Sequence, residues 1–470
     1  MTDPNPQTPR PLDPTALRSA LDARMPEVLD TLTRLVAIPG VAWPTLDRRH
    51  VEDSAAEVAR LARAVGFETV DVLTAQTPDG EAGYPAVVAS IPAPPGRPTV
   101  LLYAHHDVQP VGDERLWNTP PFDATVAGDR LFGRGAADDK AGIMVHLTAL
   151  ELLGDSLDVG VVLFVEGEEE AGSPSFRDFL DRHRDRLAAD VIIVADSGNW
   201  AAGVPALTSS LRGMAALEFT VRTLDHAVHS GMYGGLVPDA MLAMTRLLGT
   251  LHDEDGSVAV AGLHGHDGID VDYAEADLRR DSGVLPSTAL IGTGSLASRL
   301  WTRPAVTVIG LDVPAVDDSS NTLQDALRAK LSIRLAPGDT PESALRAVKE
   351  HLRAHVPFGA RIELGAEESG SPWQADLDDP VTAIAHGALS DGFGAECVHM
   401  GLGGSIPFIA DLTEVFPEAS ILVTGVEDPD ARAHSANESL YLPDFASAIV
   451  SEALLLDRLA RHRSIGTAGE

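Results

Sequence analysis

LLYAHHDVQP, residues 101–110, is an apolar run that stops abruptly on His105, His106 and Asp107. Such a run reads as a buried strand that emerges at the end of a sheet. Side chains alternate along a strand, so His105 and Asp107 point together while His106 points away. At the C-terminal end of a parallel strand, that side opens into the crevice where α/β sheets bind ligands. A carboxylate beside an imidazole fixes its tautomer, which makes His105 a metal ligand and Asp107 its supporter. On these two residues alone, a solvated pair at a strand end explains the motif as well.

Outward from this strand, helical spacing runs from Pro14 to about Ile38 and again from Val51 to Val65. Further strands are expected at Ala86–Ile91, Val159–Val165 and Val191–Val194, with a helix over Ala141–Leu153. Strands alternating with helices predict an α/β domain built on a mainly parallel sheet. The texture changes near Thr208. Gly213–Arg222 alternates like a long strand, Asp239–Leu251 and Pro341–His355 have helical periods, and Leu331–Leu335 and Arg361–Leu364 read as strands. Strand, helix, strand, strand, helix, strand predicts an inserted α+β sandwich. From about Pro380 the α/β texture returns, with a helix to Leu389, strands near Glu396 and Ile421, and a closing helix over Leu442–Leu459. The expected division is therefore 1–209 and 381–470 as one α/β domain, with 210–380 inserted. Ala261–Pro314 is the least readable stretch, and its HGHDG (264–268) reads as an exposed loop rather than a metal site.

The chain has 470 residues, 44% hydrophobic and 22% charged, which excludes disordered and collagen-like classes. A net charge of -35 repels phosphate backbones and anionic headgroups, so neither nucleic acid nor membrane is expected as a partner. Cys397 is the only cysteine, so an intramolecular disulfide and a Cys-based zinc site are both excluded. Any metal must be held by His, Asp and Glu. The start, MTDPNPQTPRPLDP, has no basic-then-apolar leader pattern, and no stretch approaches the ~20 apolar residues of a membrane span, so a cytoplasmic protein is expected.

Four more stretches carry chemistry. In LFGRGAADDKAG (131–142) the glycines could open a dinucleotide loop, but Asp138 at the sixth position repels a pyrophosphate. A metal or capping role fits better, and on this stretch alone an N-cap of the following helix by Asp138 or Asp139 is the favoured reading. In FVEGEEEAGSPSF (164–176) an apolar strand runs into Glu166, Glu168, Glu169 and Glu170, a density of like charge that demands water or cations. VIIVADSG places Asp196 after another buried strand, and ARAHSANES places His434 before the closing helix. Strand ends on one side of a parallel sheet converge. Two histidines and three or four carboxylates suit a pair of borderline divalent cations with one carboxylate bridging, and leave a glutamate spare as general base.

HHDVQP, GRGAADDKAG, EGEEEAGS, HSGMYGG and AHSANES together resemble the co-catalytic zinc metallopeptidase family that includes carnosinase, cytosolic non-specific dipeptidase, glutamate carboxypeptidase and the succinyl-diaminopimelate desuccinylases. The resemblance runs from about Ala16 to Leu459 and is strongest to the dipeptidase branch. It implies two divalent metal ions, zinc first with manganese or cobalt as alternatives. Asp138 would bridge them, His105 and Asp196 would complete one ligand set, and Glu170 and His434 the other. Glu169 matches the family's general base and Asp107 its supporter of His105, and the peptide after Asp138 is expected to be cis. Glu168 stands where relatives often have a neutral residue, so it either raises the proton affinity of Glu169 or faces solvent.

The resemblance also implies that His229 reaches across a homodimer, formed through the inserted domain, to polarise the scissile carbonyl. Arg334 lies on an apolar strand and needs a carboxylate partner, either one of the chain's own acids or, as the resemblance implies, the C-terminal carboxylate of a small peptide substrate. Asn321, Gly404 and Ser405 match further substrate-contacting positions. The expected activity is metal-dependent hydrolysis of dipeptides or short peptides with a free C-terminal carboxylate. Deacylation of N-acyl amino acids is the alternative on the same fold, and a metal-dependent binding protein the alternative of another class. No G-x-S-x-G elbow supports a serine hydrolase, since Pro407 occupies the second glycine position after Ser405.

Overall fold

The protein is described here from a computed structural model, over residues 11–268, 271–404 and 407–462. It divides into two compact units, one formed by Met1–Ser209, Ala375–Met400 and Asp411–Glu470, the other by Ser210–Gln374 with Gly401–Ala410. This differs from the expected 1–209, 210–380 and 381–470 in two places: the return to the first unit comes at Ala375, and the segment Gly401–Ala410 groups with the second unit.

The first unit is built on a six-stranded sheet in the order Thr69–Leu73, Ala86–Ile91, Gly160–Glu166, Thr99–His105, Val191–Val194, Ser420–Val423. The last four strands run parallel, whereas Ala86–Ile91 pairs antiparallel with both of its neighbours, Thr69–Leu73 and Gly160–Glu166. The sheet is thus mixed, and the strands that lead to His105, Glu170 and Asp196 are all among its four parallel ones. Gly160–Glu166 and Val191–Val194 are buried throughout, as parallel strands covered on both faces must be. Each buried Val, Leu or Ile contributes roughly 1.5–3 kcal/mol, so the strand middles hold the fold and polar chemistry is confined to their ends.

The first helix, Pro14–Val36, starts where Asp13 accepts the Thr15 amide and Pro14 presets the first turn, and it buries Leu17, Leu21, Val28, Leu32 and Leu35. Lys140–Leu153 is buried almost all round between the sheet and the closing helix Leu442–Arg461. Its His146 presents one ring nitrogen to Glu452 at 2.8 Å and the other to the Tyr103 carbonyl at 3.0 Å. The strand expected near Glu396 is Val398–Leu402, and it does not join the six-stranded sheet.

In the second unit, four antiparallel strands lie in the order Ala305–Leu311, Ala326–Leu335, Gly213–Arg222, Arg361–Gly370. Helices Ala240–Leu248 and Pro341–His355 cover one face, with Leu217, Phe219, Leu331, Ile333, Met244 and Val348 in the core between. The second strand of the expected order is Ala305–Leu311, inside the stretch that sequence left unread. Burial alternates strictly along Ala326–Leu335, which puts Lys330, Ser332 and Arg334 on the face away from the helices. No helix among the described residues is long and apolar enough to cross a membrane.

Candidate metal centre

The 99–105 strand ends on His105, which is fully buried. Its Nδ1 lies 3.1 Å from the Asp107 carbonyl and 3.4 Å from Asp107 Oδ1, so Nδ1 carries the proton and the Nε2 lone pair is turned outward. Nε2 then lies 3.0 Å from Asp138 Oδ1 and 3.8 Å from Asp196 Oδ1. His106 points the other way, with Nε2 2.9 Å from the Pro85 carbonyl, and burial pushes it down to about 4, a neutral ring outside the site.

The second oxygen of Asp138 lies 3.0 Å from His434 Nε2, which is itself 3.1 Å from Glu170 Oε2. Two three-residue sets therefore form, His105 with Asp138 and Asp196, and Asp138 with Glu170 and His434, and Asp138 belongs to both. All five expected ligands meet, and the Asp138–Asp139 peptide is cis. Asp139 supplies the helix cap instead: its Oδ1 accepts the Gly142 amide and its Oδ2 the His105 amide. Gly142 is required there, because a Cβ would sit 2.2 Å from Asp139 Oδ1.

The four glutamates after the 160–166 strand separate by role. Glu166 accepts the Tyr103 hydroxyl at 2.7 Å, and burial pushes it up to about 8. Glu168 does not face solvent: it is buried, and it accepts the Tyr84 amide and both the amide and the hydroxyl of Ser175. Glu169 and Glu170 alone turn into the site. Asp107 holds both in place, its two oxygens accepting their backbone amides at 3.1 Å each. Gln109, also in the opening motif, fixes the Glu170 carboxylate through its amide at 3.1 Å and its Nε2 at 2.6 Å. The Glu169 carboxylate accepts no hydrogen bond among the described residues.

Burial, with Asp138 and Glu170 nearby and His105 opposing, pushes the Asp196 carboxyl up to about 7. Burial and Asp196 likewise raise Glu169, and burial and Asp138 raise Glu170. Burial alone would raise Asp138 too, but its bonds to His105 and His434 hold it low, and bonds to Asp138 and Glu170 raise His434 to about 11. Carboxylates that crowd until they compete for protons form a site short of positive charge, and hard or borderline divalent cations supply it. The donors present fit two such ions.

Sequence reading passed over Glu438, although it lies inside ARAHSANES. It is fully buried, receives Arg134 Nη1 at 2.6 Å, and accepts the amides of Gly135, Ala137 and Asp138 at 3.0–3.1 Å. It thus ties the segment carrying His434 to the loop carrying Asp138. Removing one partner of a buried ion pair costs about 3–5 kcal/mol, so Glu438→Ala is expected to lower unfolding stability by that amount in a urea titration. A loss below about 1 kcal/mol would mean that water satisfies the same donors.

The remaining candidates lie in the second unit. His229 is exposed, and its Nδ1 accepts the Gly231 amide at 3.0 Å, leaving Nε2 as a free donor. Asn321 is beside it: its carbonyl accepts the Ser230 amide, and His229 pairs with Thr322. Arg334 is half-buried, and among the described residues none of the chain's own carboxylates pairs with it. Its charged neighbour is Arg212, pushed down to about 10 by burial and by Arg334. Arg212 Nε donates to the Gly403 carbonyl at 3.2 Å, next to Gly404. Ser405 lies outside the described residues.

The profile of peptidase family M20/M25/M40 matches residues 101–458. A cysteinylglycine-S-conjugate dipeptidase of Corynebacterium striatum is 35% identical over 366 residues, 76% of this chain and 80% of that protein. A Beta-Ala-His dipeptidase of Rattus norvegicus is 28% identical over 452 residues, 89% of this chain and 90% of the other. Among solved structures, the di-peptidase Dug1p of Saccharomyces cerevisiae superposes with a TM-score of 0.76 at 23% identity, over 96% of this chain and 99% of that one. Human carnosine dipeptidase 1 gives 0.76 at 24%, over 97% and 100%. At these identities the structural likeness establishes a shared fold.

Proposed function

The chain belongs to peptidase family M20/M25/M40, and from that premise we propose that it is a metal-dependent dipeptidase acting on short peptides with a free C-terminal carboxylate. The observation that carries this reading is the pair of ligand sets sharing Asp138, with the unpaired Glu169 carboxylate beside them. His105, Asp138 and Asp196 would hold one divalent ion, and Asp138, Glu170 and His434 the other. Zinc is our first choice for a His and carboxylate set, ahead of manganese and cobalt. Such ions, when bound, supply Lewis acidity to the scissile carbonyl and acidify a water.

The residues do the rest. Glu169 takes the proton from the attacking water and delivers it to the departing amine, a transfer for which a carboxylate without fixed partners is suited. Asp107 keeps His105 in the ligating tautomer and holds Glu169 in register through its amide. His229 supplies an Nε2–H donor for the carbonyl oxygen of a peptide bound by a second copy, which makes the active form a homodimer through the second unit. The exposed apolar side chains of the edge strand Ala305–Leu311, Val308, Ile309 and Leu311, support that unit as the contact.

Arg334 and Arg212, two guanidiniums without carboxylate partners among the described residues of a chain of net charge -35, recognise the substrate's C-terminus. The test is hydrolysis of a panel holding cysteinylglycine conjugates, β-Ala-His and other dipeptides, their C-terminal amides and N-acyl amino acids. It is run before and after chelation and after adding back zinc or manganese. Chelator-sensitive cleavage of free dipeptides is expected, with kcat/KM about tenfold lower in Arg334→Met and no effect of that change on the amides. Cleavage confined to acyl amino acids would move the protein to the deacylase reading.

A further inference from the structure

Within the second unit, residues 252–258 and the stretch that sequence left unread line an open pocket of about 580 Å³. That is the size of a small-molecule site. His252, Ser257, His266, Asp267, Arg299 and Arg303 are in its lining. Two guanidiniums thus face one carboxylate in a protein of net charge -35, and they are differently engaged. Arg303 Nη2 reaches Asp267 Oδ1 at 2.6 Å, and its Nη1 donates to the Thr293 carbonyl at 2.9 Å. Arg299 meets no carboxylate among the described residues. Its Nη1 donates to the carbonyls of Ile291 and Gly292 and its Nε to that of Ser295, while Nη2 has no partner.

Ser257 Oγ is buried and likewise without a hydrogen-bond partner among the described residues. It and the Arg299 stem both flank Gly292, where a Cβ would be 3.2 Å from Arg299 Cδ and 3.9 Å from Ser257 Oγ. Gly292 is left-handed at φ 82°, so no bulkier residue fills that gap. A buried hydroxyl left unpaired is unfavourable, and the part-exposed Arg299 guanidinium has N–H groups to spare for an anion. One acceptor with negative charge answers both.

We propose that this cavity binds a small molecule through a carboxylate or phosphate group, held by Arg299 and Ser257, with Arg303 as the second cation. The site stands on residues other than the metal ligands and does not rest on the dipeptidase reading.

The experiment is hydrogen–deuterium exchange on the full metal-loaded chain, with inorganic phosphate in one arm and succinate in the other. Saturable slowing of exchange in 252–267 and 291–307 is expected with at least one anion, and the arm that responds identifies the group. Ser257→Ala and Arg299→Gln are each expected to raise the half-saturating concentration about tenfold. Arg299 also braces the 291–292 carbonyls, so Ser257→Ala, which removes only an unpaired hydroxyl, is the variant free of folding effects. No slowing in these segments with either anion overturns the proposal, as does slowing that Ser257→Ala leaves unchanged.

Discussion

Replacing Glu169 with alanine is expected to lower kcat about 10²–10⁴-fold, the range that a positioned general base supplies. Bound metal should stay at two ions per chain, because the Glu169 carboxylate belongs to neither ligand set. KM should change little, since the lost proton transfer acts in the transition state rather than on the bound peptide. The same variant tests the dimer. His229→Ala is expected to be slower by about 10²-fold, as for a lost oxyanion donor. Mixing the two inactive proteins under conditions that exchange subunits should then restore about a quarter of wild-type activity, since half the dimers are mixed and each contains one intact site. Full activity in Glu169→Ala with both metals bound would refute its role, and no recovery on mixing would place His229 in its own chain's site.

Asp138→Asn is expected to have an effect of a different kind. Asp138 presents one oxygen to His105 and the other to His434, so it alone joins the two ligand sets. An amide keeps the shape but offers one acceptor oxygen without charge. Metal content should fall below two per chain, with activity down by about 10³-fold or more, in keeping with several kcal/mol of lost charge stabilisation. The loss should persist at high added zinc if geometry is at fault and lessen if affinity alone has dropped. Two metals and near-normal turnover would leave the shared position of Asp138 without a catalytic meaning.

Three of the expected ligands, His105, Glu170 and Asp196, were legible because each lies at or just past the end of a buried strand, and an apolar run ending in His, Asp or Glu is visible in one dimension. Asp138 and His434 lie in turns away from such runs, and the resemblance assigned them. His105 after Leu101–Ala104 and Asp196 after Val191–Val194 are of this kind. Glu438 was not legible, because nothing in a single sequence separates a carboxylate that accepts backbone amides from one that accepts water. Arg212 was missed for the same reason: its meaning lies in its nearness to Arg334, more than a hundred residues away. The helix Phe176–Leu187 escaped notice because its buried positions, Phe176, Phe179, Leu180 and Leu187, are diluted among charges and broken by a non-helical His183. Strand direction also left no mark, since Ala86–Ile91 is nearly as apolar as its parallel neighbours yet runs against them.

The ten residues Gly401–Ala410 leave the first unit at Met400 and return to it at Asp411, but they pack with the second. The chain therefore crosses between units four times, not the two that a simple insertion requires. Recombination between relatives at the obvious joints, near 209 and 375, would carry Arg212 and Arg334 into a new host and leave behind the glycine loop that receives Arg212. On the role proposed for Arg212 and Arg334, a chimaera or an evolutionary exchange has to move two separate pieces of chain for recognition of the substrate's C-terminus to remain whole.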